Sequence, residues 1–186
     1  MRKFLLLLLV AAALPAAAHP GLGRETVGFL AGFTHPASGV DHLLAMLAVG
    51  FWSATATRRI WRTPLVFATV LLLGALLALG GLTFPAVEPM IAASVLLLGL
   101  MVMSRVQLPE PAASLMIASF ALFHGAAHGD ELGAGSALAG MVVATALILG
   151  IGLTLGYWLR TYNECWQRGV GGSIALAGLG LSLNLI

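Results

Sequence analysis

Six apolar stretches, each close to the length of a bilayer crossing, follow one another along this 186-residue chain at 26–56, 64–82, 87–104, 112–129, 135–159 and 169–186. A helix needs roughly 20 such residues to span, and a backbone in lipid must satisfy its own hydrogen bonds, so helices are the natural outcome of this pattern. With 60% hydrophobic and only 9% charged residues, the sequence predicts an all-α, polytopic membrane protein whose main partner is the lipid bilayer. The formal net charge of +2 comes from nine basic residues scattered over short loops, which makes no patch for nucleic acid.

The first residues, MRKFLLLLLVAAALPAAAHP, combine a basic start, an apolar run too short to span and a small-x-small Ala16-Ala17-Ala18 sequence. They predict a cleaved export signal at 1–18, leaving a single six-helix domain at 19–186 with His19 at its mature N-terminus. With that end outside, the loops after the first, third and fifth helices are cytoplasmic. Those loops carry Arg58, Arg59, Arg62, Arg105, Arg160 and Arg168, against Arg24 alone on the outer side, which is the asymmetry of the positive-inside rule. The expected location is the cytoplasmic (inner) membrane, multi-pass, with both mature termini on the periplasmic side. The first stretch is long enough to contain a break. Thr34-His35-Pro36 is the expected place, because proline disfavours helical geometry in the residue before it and is tolerated at the start of a new helix.

This topology puts all five histidines on one side of the membrane. His19 is at the outer N-terminus, His35 and His42 begin the first main helix, and His124 and His128 end the fourth; Asp41 accompanies the first pair, and Asp130 and Glu131 follow the second. His124 and His128, at i and i+4, project from one helix face about 5–6 Å apart, a spacing able to offer two nitrogens to one ion. His35 and His42 would share a stripe if the helix extended back that far, with Asp41 on its flank. Ionisable groups in lipid cost on the order of 2.5–3.5 kcal/mol each, so their clustering points to metal or proton handling. The single cysteine, Cys165, excludes an intramolecular disulfide and a cysteine-rich cluster. Any metal is then held by imidazole and carboxylate, which suits nickel, cobalt, zinc and copper(II) without choosing among them.

Two motifs carry a resemblance. His35-Pro36-Ala37-Ser38-Gly39-Val40-Asp41-His42 has the form HPxxGxDH, and Phe123-His124-Gly125-Ala126-Ala127-His128-Gly129-Asp130-Glu131 has the form FHGxAHGxE. Together they resemble the HupE/UreJ family of nickel permeases and urease or hydrogenase accessory proteins. The resemblance implies nickel entry across the cytoplasmic membrane, with cobalt in some relatives, and hydrogenase or urease maturation as the process served. It implies that His35, Asp41, His42, His124, His128 and Glu131 handle the ion. His19 is added by its position: a free α-amine beside an imidazole can capture a metal at the outer mouth.

The expected function is a secondary transporter or facilitator, with no prosthetic group and no enzymatic activity. Two alternatives use the same cluster: a zinc-dependent intramembrane hydrolase and a non-transporting metal-binding accessory protein. Ser94, Ser114 and Ser119 lie outside any GxSxG frame, and no phosphate-binding GxxxxGK[ST] sequence is present. Met46, one turn below His42, is read as packing, as are the small-x3-small pairs Gly28/Gly32 and Gly152/Gly156. The two histidine motifs are loosely alike, yet no duplicated half is evident in the sequence.

Overall fold

The computed structural model describes residues 28–132 and 134–185; the expected signal segment 1–18 and His19 lie outside them. The described residues form seven helices: α1 (Phe29–Ser38), α2 (Val40–Ala56), α3 (Arg62–Leu79), α4 (Val87–Ser104), α5 (Glu110–Leu132), α6 (Ser136–Leu159) and α7 (Glu164–Ser182). Local chemistry sets several ends. Pro64, Pro89 and Pro111 lie in the first turns of α3, α4 and α5, where a missing N–H removes no intrahelical bond. The Asn163 side chain caps α7 by accepting from the Cys165 amide at 3.0 Å.

Four helices, α3 to α6, are long and apolar enough to cross a membrane; α1 and α2, bent by 82°, qualify together as a fifth. The protein is therefore a multi-pass, membrane-type helical assembly. α7 is not among these spans, since its first turns carry Glu164, Gln167 and Arg168.

The break in the first segment falls at Gly39, not at Thr34-His35-Pro36. α1 runs through Pro36, whose ring is buried, and the chain turns extended at Gly39 (φ −89°, ψ 119°) before α2 begins. A Cβ on Gly39 would come within 2.8 Å of Asp41 Oδ1, so glycine leaves room for that carboxylate to fold back over the first turn of α2. One lost backbone bond at Pro36 is tolerated inside a packed helix; the crowding at residue 39 has no such remedy.

Glycines set the helix pairing. α2 lies on α6, α3 on α5 and α4 on α7, while α1 packs along α6. In each pair a glycine lets one backbone approach another: a Cβ on Gly50 would run into the Leu149 carbonyl, on Gly125 into the Leu71 carbonyl, and on Gly171 into Met103. Gly32 and Gly152, picked out as packing positions, meet Ala137 and Leu47 in the same way. α2 and α5, by contrast, are not among the helix pairs that pack backbone to backbone. The connectivity gathers every described histidine at one end of the bundle and every described arginine at the other.

Candidate metal centre

The seam between α2 and α5, too wide for backbone packing, is filled at the histidine end by imidazole rings. His35 comes from the last turn of α1, His42 from the first turn of α2, and His124 and His128 from successive turns of α5. The rings follow one another inward: His35 to His128 at 5.0 Å between centroids, His128 to His42 at 4.4 Å, and His42 to His124 at 4.8 Å. The outermost ring is the most exposed and the last is fully buried, with His42 at 9% as a residue. The His35 side chain is 23% exposed, whereas His128 and His124 are 1% and 0% exposed as residues. The bend at Gly39 puts His35 and His42 on separate helices instead of one stripe, and both still face His128.

Two partial stations can be distinguished. At the mouth, His35 Nε2 lies 2.6 Å from Glu131 Oε2, and His35, His128 and Glu131 can each offer one ligand atom with all three within 4.8 Å of one another. Deeper in, His42 and His124 face each other below the shared His128. Phe67, 5.7 Å from His124, and the fully buried Met46, one turn below His42, close the floor.

Hydrogen bonds decide which nitrogens are available. His42 Nδ1 lies 2.9 Å from Asp41 Oδ1, and the same oxygen accepts the His42 backbone N–H at 2.7 Å. An ionised carboxylate only accepts, so Nδ1 carries the proton and Nε2 keeps a free lone pair. His124 is fixed in the opposite sense. Ser94 Oγ is 2.7 Å from the Ile91 carbonyl, a distance between oxygens that requires the hydroxyl proton to lie there, so the hydroxyl accepts from His124 Nε2–H at 2.9 Å. The lone pair of His124 is then on Nδ1.

His42 Nε2, His124 Nδ1 and both nitrogens of His128 are buried without a hydrogen-bond partner. A buried polar atom left unpaired costs about 1–3 kcal/mol, and a cation that accepts one lone pair from each ring removes that cost for three of the four, the fourth being the N–H of His128. The donor set of imidazole and carboxylate fits a borderline divalent ion.

Of the residues singled out from sequence, His35, His42, His124, His128 and Glu131 come together. Asp41 stands behind His42 as the partner of its other nitrogen. Asp130 is exposed and outside the group whose ligand atoms converge. Ser94, outside any nucleophile motif, is a partner of the cluster that the sequence reading does not include. Its signal was a lone hydroxyl in the apolar run Ile91–Met103. Thr145 Oγ1 is also buried and unpaired, and the register of α2 on α6 puts it near the level of His42.

The family model described as HupE / UreJ protein matches residues 6–181. Protein HupE of Rhizobium leguminosarum bv. viciae is 42% identical over 180 residues, covering 93% of this chain and 94% of that one. No solved structure matches. A match over nearly the whole length, together with both histidine motifs, means that the chain belongs to the HupE / UreJ family, whose members are transport and accessory proteins and not enzymes.

Proposed function

We propose that this protein carries divalent nickel into the cytoplasm, with cobalt as the alternative cargo, in support of hydrogenase or urease maturation. The observation that carries the reading is the cluster of buried, unpaired imidazole nitrogens on the α2–α5 seam. Family membership supports nickel or cobalt handling in place of the other ions this donor set would accept.

In this reading the chain is an inner-membrane protein of six spans, α7 being the sixth, with the histidine end outward and residues 1–18 removed as an export signal. An ion arrives at His35, Glu131 and His128, sheds part of its water, and passes through the shared His128 to His42 and His124. Asp41 and Ser94 hold those two rings with a lone pair turned inward, so the deeper station is assembled before the ion reaches it. Imidazoles on several helices with carboxylates at a half-exposed mouth make an open site, suited to release as well as capture. An inside-negative potential of ~100 mV favours entry of a divalent ion by about 4.6 kcal/mol, so inward transport needs no nucleotide hydrolysis. The hydrolase alternative loses its ground with the family assignment.

Uptake of radioactive nickel, cobalt and zinc into proteoliposomes, with and without an imposed potential, tests the proposal. Nickel entry that rises with inside-negative potential supports it. Tight binding with no entry under either condition would make the protein a metal-holding accessory factor instead.

A further inference from the structure

The glycine contacts that pair the helices repeat themselves. Moving 75 residues on from α2 takes Leu47, Gly50 and Ala54 to Leu122, Gly125 and Gly129 on α5, and moving 78 on from α3 takes Leu71, Gly74 and Ala78 to Leu149, Gly152 and Gly156 on α6. The contacts move with them. Gly50 meets the Leu149 carbonyl, and Gly125 meets the Leu71 carbonyl; Gly152 meets the Leu47 carbonyl, and Gly74 meets the Leu122 carbonyl. A Cβ on Gly156 would come within 3.0 Å of the Ala54 methyl, and one on Gly129 within 2.9 Å of the Ala78 methyl. The third pair obeys the same operation on itself: Leu96 packs on Gly178 as Met103 packs on Gly171, again with a shift of 75 from α4 to α7.

Eight glycine contacts, related in four pairs by one exchange, define two structural repeats, α2–α3–α4 and α5–α6–α7. Each repeat has three helices, so the second crosses the membrane in the opposite sense to the first. The paired units are mixed: α2 with α6, and α3 with α5, take one helix from each repeat. The histidines divide between these units, His42 on α2 and His124 and His128 on α5. The seam that carries the ion is thus the seam between two internally close-packed bodies.

The exchange also relates the two ends of the bundle. The place of His128 falls on Ser53 at the arginine end of α2, and the place of His35 falls on Glu110 at the start of α5. That end is shut. Ser53 Oγ, fully buried, lies 2.5 Å from Thr63 Oγ1 on α3 and 2.8 Å from the Ile60 carbonyl, and Glu110 pairs with Arg62. As His35–Glu131 ties α1 to α5 at the outer mouth, Arg62–Glu110 ties α3 to α5 at the inner one, while Ser53–Thr63 joins the two units across the seam.

We infer that the protein is an alternating-access carrier in which the α1–α2–α6 unit rocks against the α3–α5 unit, and that the buried Ser53–Thr63 contact between the units is its cytoplasmic gate. The inference rests on the proposed transport function and specifies how it is carried out. The inward-open state is the present arrangement with the roles of the repeats exchanged: the inner contacts part and the histidine end closes over its rings.

The test uses the full chain in proteoliposomes with Cys165→Ser, which removes the only native thiol. Ser53→Cys together with Thr63→Cys places two sulfurs where the hydroxyls touch. Oxidation with diamide, followed by mass spectrometry to establish the disulfide, is expected to stop nickel uptake, reversibly on reduction, while nickel binding persists. A fully cross-linked protein that takes up nickel at the reduced rate would overturn the gate. The second arm reads the gate without any cargo. Labelling of Ser53→Cys by a membrane-impermeant maleimide from the cytoplasmic face should quicken about two- to ten-fold when Thr63→Val is added, the worth of one hydrogen bond across the seam. Unchanged labelling also overturns it. If the parent chain takes up no nickel but labelling responds as stated, the gate stands and the assignment of cargo fails.

Discussion

Removing the Ser94 hydroxyl should weaken metal binding without unfolding the protein. In Ser94→Ala the His124 Nε2–H loses its only acceptor in a fully buried setting, at a cost of about 1–3 kcal/mol. The ring can recover part of that by shifting its proton to Nδ1, and then Nδ1 has no lone pair for the ion. Returning the ring to the binding tautomer is charged against metal affinity, whereas an N–H left unpaired with and without the ion is charged against stability. Loss of such an outer partner typically lowers affinity 10- to 100-fold, which corresponds to about 1.4–2.7 kcal/mol and agrees with the cost of the orphaned group. Alanine is a better helix former than serine and leaves almost no cavity, so the protein should stay folded, with the thermal midpoint in detergent lowered by only a few degrees. Titration calorimetry with nickel measures the affinity, and nitrogen shifts of labelled histidine report the tautomer. Ser119→Ala is the matched control, since that hydroxyl bonds to the Leu115 carbonyl on the exposed face of α5. Parent-like nickel affinity in folded Ser94→Ala protein would refute the tautomer argument.

His42→Ala and His128→Ala should each abolish uptake while the proteins still insert, as shown by membrane fractionation, and the double variant should lose nothing more if the rings act as one site. For Asp41→Asn, which removes the charge behind His42, the expected change is about a ten-fold loss of nickel affinity by equilibrium binding. Gly125→Ala should lower the detergent melting temperature, at a cost of about 1–3 kcal/mol for overpacking against the Leu71 backbone, whereas Gly150→Ala, whose added methyl meets nothing within 4 Å, should leave it unchanged.

The helical, multi-pass character was legible because hydropathy is a property of local composition. So was the meeting of four histidines at one end: parity alone carries the start of α2 and the end of α5 to the same side. The break in the first segment was legible as an event and misplaced as a position, since Pro36 is the stronger local signal while the crowding at Gly39 involves Asp41, two residues on. The part played by Ser94 depends on a helix 30 residues from His124, and no local pattern reports that. The repeats escaped notice for a related reason. Corresponding positions such as Ser53 and His128, or His35 and Glu110, differ in chemistry, and only the backbone approaches at the glycines retain the relation.

The broken first segment also shapes the field at the metal centre. α1 and α5 both end there, with His35 and His128 in or near their final turns, and α2 begins there at Gly39. Each helix terminus carries about half an elementary charge, negative where a helix ends and positive where it starts. The break adds one pole of each sign, the end of α1 and the start of α2, while the negative end of α5 is offset by the start of α6 at Ser136. The positive pole made by the break, the start of α2, is where Asp41 sits with its carboxylate on the His42 amide. With that pole covered, the negative end of α1 beside His35 is what the break leaves facing an arriving cation, and an unbroken first helix would have had no terminus to contribute.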